Sequence, residues 1–314
     1  MKTLGDIGEL DAIRRICSRL PGRRDILTGA GDDCAVVRSE PGATVDLLLT
    51  SDPVIENVHF SPSDAPEHIG HKAIGRLLSD IAAMGGDPLW CLIDIAAPPS
   101  TPVERIERFY DGALAHAKKH GLAIVGGDLA TGGALEIHAF AAGSVPAGQA
   151  ILRSGARPSD LLYVTGALGG SFHGKHLSFE PRLREGRWLR GLATSMIDVS
   201  DGLASDLRHL TGMSRTGAEL WIGGIPISDA ARQHAAPFTP LQRAFRDGED
   251  FELLFTVPEA LAADMERRWA AEFDIPCGRI GSMTDLTGEI VCVAPDGSRT
   301  PLAETGFEHF HPQR

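Results

Sequence analysis

The 314-residue chain predicts a mixed α/β fold in two parts. Its length is enough for a substantial core and suggests two domains. Short β-favouring runs such as "VDLLLTSD" and "WCLIDIAA" alternate with longer stretches whose apolar residues recur at helical spacing. Around "PAGQAILRSGARPSD" the apolar pattern gives way to glycine, proline and charge, which places a boundary at residue 148. A second α/β unit follows.

In the first part, "PEHIGHKAIGRLLSDIAAMGG" sets Ile69, Ala73, Ile74, Leu77, Leu78, Ile81 and Met84 on one helical face. Asp64 is expected to cap that helix, Pro66 suits an early helical position, and Gly85, Gly86 and Pro88 end it. Asp80 then falls near the C-terminus, where the macrodipole disfavours an anion and a bound cation would offset the disadvantage. "TPVERIERFYDGALAHAKKHG" reads as another helix, and "LAIVGGDLATGGALEIHAFAAG" as a strand, a glycine turn with one carboxylate, and a strand. The second part runs through "LLYVTGALGG", "SMIDVSDGLASDLRHL", "FELLFTV", "PCGRIGSM" and "GEIVCVAPDG". No repeat or low-complexity tract interrupts this order.

Charge and composition narrow the function. With 30 basic against 42 acidic side chains the formal net charge is -12, which argues against non-specific attraction to nucleic acid or anionic membrane and tolerates bound cations. No segment approaches the roughly 20 apolar residues that span a bilayer, and "MKTLGDIGELDAI" lacks a signal-peptide pattern. Cys17, Cys34, Cys91, Cys277 and Cys292 form no C-x-x-C pair, so neither a structural zinc site nor a disulfide framework is indicated, and the odd count fits a reducing compartment. The expectation is a soluble cytoplasmic protein with neither nucleic-acid nor membrane partner.

One apparent nucleotide motif is discounted. "GGSFHGKH" nearly satisfies G-x-x-x-x-G-K-[ST], but His176 lacks the hydroxyl that holds magnesium there, and Phe172 and His173 would crowd the phosphate loop. The better signal is distributed over "GAGDDC", "LLTSDPV", "LLSDIAAMGG", "VGGDLA" and "MIDVSDGLASD". Each puts a carboxylate beside a turn and next to an apolar element, which can bring Asp33, Asp52, Asp80, Asp128, Asp198 and Asp201 to one rim. Any one of them alone equally fits a cap or a solvated turn. Together they suit magnesium, which meets protein carboxylates along with substrate phosphates. The glycines of "VGGDLA" would permit close backbone approach to phosphate, and Asp206 reads as a helix-surface charge. In the adjacent pair Asp32 and Asp33, like charges need water, a cation or hydrogen-bond donors to coexist.

The segments "GDDCAVV", "TSDPVIENVHF", "HKAIGRLLSDIAAMGGDP", "IVGGDL", "RSGARPSDLLYVTGALG", "MIDVSDGLASDL", "GEDFELLFTV" and "GFEHF" occur in this order over nearly the whole chain. In them the chain resembles the thiamine-monophosphate kinase family, within the larger AIR-synthase or PurM-like group. The resemblance implies a PurM-like architecture of mixed sheets and flanking helices, with AIR-synthase-like domains over residues 1–148 and 149–314. It implies a usually dimeric enzyme that transfers the terminal phosphoryl group of ATP to thiamine monophosphate. By motif match, Asp33, Thr50, Ser51, Asp52, Asp80, Asp128, Asp198 and Asp201 are the expected magnesium residues. Gly127, Asp128, Arg153 and Ser200 are expected at ATP, and His59, Glu249 and Phe307 at the substrate.

Where the family commonly follows GGD with Thr-Thr-Arg-Gly, this chain has Leu129, Ala130, Thr131 and Gly132, and so lacks a five-donor guanidinium at that point. The "GSFHGKHLSFEPRLREG" connection also departs from the family. Two competing readings follow: a related ATP-dependent enzyme acting on another small phosphate or amine, and an inactive nucleotide-binding regulatory protein.

Overall fold

The structure is a computed structural model that describes residues 2–307 and residue 310. The first part comprises α1 (Leu4–Cys17), β1 (Ile26–Thr28), β2 (Ala35–Val37), β3 (Val45–Ile55), α2 (Pro66–Ala83), β4 (Asp87–Ala97), α3 (Val103–His120), β5 (Ala123–Thr131) and β6 (Glu136–Pro146). The second comprises β7 (Leu161–Thr165), α4 (Leu183–Leu189), β8 (Ser195–Asp198), α5 (Leu203–Ser214), β9 (Gly217–Trp221), α6 (Asp229–Gln233), α7 (Pro240–Arg246), β10 (Leu253–Val257), α8 (Glu259–Glu272), β11 (Cys277–Thr284), β12 (Ile290–Val293) and β13 (Arg299–Pro301). Helix α1 lies in a stretch for which the sequence reading proposed no element. No described helix is long and apolar enough to cross a membrane.

The strands form two mixed sheets, ordered β1-β2-β3-β6-β4-β5 and β13-β12-β9-β11-β7-β10-β8. Pairing is antiparallel except between β4 and β5 and between β12 and β9. The second sheet is covered on both faces. In β7, Leu161 and Tyr163 join the core around α2 while Leu162 and Val164 join the one around α5, and β10 divides Phe255 and Leu254 likewise. Their unbroken apolar sequences follow from that double burial. The first sheet buries one face, with Leu48, Ile93, Ile137 and Ala139 against α2 and α3, and leaves Leu49, Trp90, Leu92 and Phe140 between 41% and 50% exposed. One apolar core runs from that buried face through α2 to β7 and β10.

Helix α2 starts with Pro66 in its first turn and stops where Gly85 takes φ 68°. Asp64 does not cap it: Ala65 holds the cap position, and Asp64 instead accepts from the Ser61 N–H at 2.7 Å, closing the turn before the helix. The "VGGDLA" segment also differs from expectation. Gly127 and Asp128 lie inside β5, and the turn comes later, at residues 132–135. A Cβ on Gly127 would sit 1.8 Å from the Ile93 carbonyl oxygen, so the close approach of β4 is what requires glycine there.

Candidate active site

The last turn of α2 meets β8 and the loop before β2, and there three acids from distant sequence converge. One carboxylate oxygen from each of Asp33, Asp80 and Asp198 lies within 4.8 Å of the other two. Among the described residues, few donors compensate them. Arg153 reaches Asp33 at 2.8 Å, Ser79 donates to Asp198 at 2.6 Å, and the Thr50 hydroxyl donates to Asp80. Burial first, and then Asp33, push the Asp198 acid up to about 7. Burial followed by Asp52, Asp198 and Asp33 raises Asp80 well above the usual carboxylate range. A site that holds three acids together and resists the ionisation of Asp80 and Asp198 fits a hard divalent cation with oxygen ligands.

The opening acidic pair separates by role. Asp32 accepts from the backbone N–H groups of Asp33 and Arg153, at 3.1 and 3.2 Å, so it ties the turn to the start of the second half. Asp33 faces the cluster, with its side chain fully buried.

Strand alternation sorts the β3 residues. Thr50 and Asp52 share the face of buried Leu48 and Val54, toward α2, whereas Ser51 lies exposed on the outer face. The Ser51 side chain therefore lies apart from the cluster, where the resemblance had implied a magnesium residue. Asp52 pairs with Arg76 at 2.9 Å, and Arg76 also holds Glu249 at 2.8 Å. Glu249 meets fully buried Lys72 at 2.5 Å, and Lys72 donates to the His59 carbonyl at 2.6 Å. The His59 Nδ1 accepts from the Ile55 N–H at 3.0 Å. This chain of charges joins the substrate-side expectations His59 and Glu249 to the edge of the carboxylate cluster.

Ser200 and Asp201 form the turn into α5. The Ser200 carbonyl accepts from the Glu249 N–H at 2.7 Å, and the Asp201 carbonyl from the Phe307 N–H at 2.9 Å. Glu249 and Phe307, far apart in sequence, are thus bound to one turn. In "GFEHF", Glu308 and His309 lie outside the described residues. Burial first, then Glu9, push the Asp201 acid up to about 6. Asp206 is 1% exposed and accepts from the Asp201 N–H at 3.2 Å. It is a buried acid that fixes the Asp201 turn, not the surface charge its helical position suggested.

Asp128 is not brought into the cluster. Register runs from Asp52 to Ala139, Ile93 and Gly127 across successive strands. Three strand spacings, about 14 Å, therefore separate Asp52 from Gly127 and Asp128. Both lie exposed on the edge strand. The discounted "GGSFHGKH" segment forms two short 3-10 turns, Ser171–His173 and Lys175–Leu177, and its Lys175 is engaged with Glu252 at 2.7 Å.

Sequence reasoning missed Lys72, Arg76 and Ser79. Their signal was present: they recur at helical intervals with Asp80 along α2, so one polar stripe of the helix faces both the acids and Glu249.

Residues 31–145 match the AIR synthase related protein, N-terminal domain family. Thiamine-monophosphate kinase of Escherichia coli (strain K12) is 35% identical, with 96% of this chain and 98% of that protein covered. Thiamine-monophosphate kinase of Rhodopirellula baltica is 39% identical, with 84% of this chain and 85% of that protein covered. A solved structure described as AaThiL complexed with AMPPCP and TMP superposes with a TM-score of 0.84 at 29% identity, covering 98% of this chain and 99% of that one. The chain belongs to the thiamine-monophosphate kinase family.

Proposed function

We propose that the protein is an ATP-dependent kinase that phosphorylates thiamine monophosphate to thiamine diphosphate. The observation that carries this reading is the convergence of Asp33, Asp80 and Asp198 in a chain related over nearly its full length to thiamine-monophosphate kinases. The structural relative described with AMPPCP and TMP supports a nucleotide donor and a phosphate acceptor in this fold. An oxygen of the acceptor phosphate attacks the γ-phosphorus of ATP, a P–O bond forms, the bridging β–γ P–O bond breaks, and ADP leaves. That oxygen is already anionic, so alignment and charge screening are the tasks of the site rather than proton removal.

Asp33, Asp80 and Asp198, with Asp52, Asp201 and Thr50 around them, would hold Mg2+. When bound, Mg2+ supplies positive charge against the phosphate oxygens. Arg153 adds a guanidinium beside Asp33 for the nucleotide, with Ser200 at the same rim. Gly127 and Asp128 would meet the nucleotide farther along the sheet, and a role for Ser51 would use its backbone. Glu249, His59 and Phe307 would position the acceptor, with Lys72 and Arg76 holding Glu249 in place. The halves 1–148 and 149–314 act as the two domains, and α2 joins them. The exposed apolar face of Leu49, Trp90, Leu92 and Phe140 supports a homodimer, because a contiguous patch of this kind marks an association surface.

The test is to incubate the purified protein with ATP, Mg2+ and thiamine monophosphate and to identify products by chromatography and mass. Thiamine diphosphate with equimolar ADP is expected. ADP without thiamine diphosphate would reject the acceptor assignment.

A further inference from the structure

We infer that the chain holds a second cation site, remote in chemistry from the aspartate cluster, in which His71, His116 and Glu180, with His120 beside them, bind a transition-metal ion of the Zn2+ class. One ligand atom from each of His71, His116 and Glu180 lies within 4.8 Å of the other two. The residues come from α2, from α3 and from the segment just before α4, so the grouping is made by tertiary packing. His116 and His120 are four residues apart on α3 and so share a face. The His71 and His116 ring centroids are 3.6 Å apart and those of His116 and His120 are 4.8 Å apart.

Two further observations point to a ligand. His116 is 3% exposed, and its buried Nε2 has no hydrogen-bond partner among the described residues. Leaving such an atom unsatisfied costs about 1–3 kcal/mol; metal coordination removes the deficit. His71 is anchored through Nε2 to the Phe179 carbonyl at 2.7 Å. An N–H given to a backbone carbonyl leaves Nδ1 as the lone-pair nitrogen, the arrangement that usually orients a metal-bound imidazole.

The donor set selects the ion. Imidazole nitrogens with one carboxylate suit zinc and its neighbours, whereas magnesium takes oxygen. Glu180 keeps 43% of its side chain exposed, which gives solvent access. Lys119 competes: its ammonium holds Glu180 at 2.6 Å, and His120 approaches the same carboxylate at 3.3 Å. Metal binding therefore takes a carboxylate oxygen from a surface ion pair that is itself worth little. An ion there would clip together α2, α3 and the approach to α4, in the half of α2 that precedes Arg76 and Asp80.

The experiment uses the full-length untagged protein, stripped with a chelator and titrated with Zn2+ alone, without nucleotide, by calorimetry and thermal unfolding. One equivalent is expected to bind and to raise the melting temperature. The same equivalent should persist in Asp80→Asn, weaken by on the order of 10–100-fold in His116→Gln and Glu180→Gln, and tighten several-fold in Lys119→Met. Cobalt substitution should give the visible absorption of a low-coordinate nitrogen–oxygen site in the wild type and lose it in Glu180→Gln. The half-exposed Glu180 keeps the test decisive even where His116→Gln does not fold. Absence of Zn2+ binding to the wild type, or affinity unchanged in Glu180→Gln, overturns the inference.

Discussion

Glu252 and the cluster of Asp33, Asp80 and Asp198 place acids in the same protein interior and compensate them in opposite ways. Glu252, 1% exposed, accepts both arms of the Arg182 guanidinium at 2.7 Å, the Lys175 ammonium at 2.7 Å and the Thr165 hydroxyl at 2.7 Å. Among the described residues, the aspartate cluster brings three acids together with one guanidinium and two hydroxyl donors. A buried carboxylate surrounded by its own cations is part of the scaffold. A group of acids short of positive charge is completed from outside the chain, which makes it the place for metal and phosphate.

The sharpest way to break that comparison is to neutralise one acid in each region. Asp80→Asn is expected to keep a near-native fold by circular dichroism while phosphoryl transfer falls by on the order of 100-fold, about 3 kcal/mol of transition-state stabilisation. Added Mg2+ should restore it only in part. Turnover near wild type at every Mg2+ concentration would remove Asp80 from the site. Glu252→Gln should act on stability instead, by about 3–5 kcal/mol in denaturant unfolding, because Arg182 and Lys175 lose their shared partner. A variant as stable as wild type would show that Glu252 is not the structural counterpart claimed for it.

The pH response of the metal-free protein should follow the aspartates. With Asp198 raised to about 7 and Asp80 raised well above its ordinary value, the folded state binds more protons than the unfolded chain between about pH 4 and pH 7. Stability from these groups is therefore present at the acid end of that window and declines as pH rises through it. Saturating Mg2+ should flatten the slope by favouring the ionised acids. Thermal unfolding with chelator and with Mg2+ across that range measures both, and a chelated protein that gains stability with pH would contradict the assignment. The smallest effect is expected at Asp128, exposed and three strands away: Asp128→Asn should raise the KM for ATP a few-fold with kcat largely kept. A loss as large as that of Asp80→Asn would extend the working cluster across the sheet.

How far these features could be read in the sequence depended on how local their causes are. Helix α2 was legible because apolar spacing, Pro66 and the terminal glycines act within a few residues of one another. β3, β4, β7 and β10 were legible from their apolar runs. The Asp64 cap failed because a capping side chain has alternative local partners, and the Ser61 N–H took this one. "VGGDLA" was misread as a turn because glycine marks turns and close backbone approach alike; only the neighbouring strand shows that Ile93 demands it.

The sequence by itself determined the alternation of elements, the polar stripe of α2 and the identity of acids able to bind a cation, since these depend on spacing and residue chemistry. Tertiary structure alone decided which acids meet. It joined Asp33, Asp80 and Asp198 from a loop, a helix end and a strand end, turned Ser51 to the outer face, left Asp128 at the sheet edge and buried Asp206 beneath the Asp201 turn. The physical reason is that strand register and helix packing act over tens of residues, and a carboxylate's charge, solvation and partners are set by neighbours that its own segment does not contain.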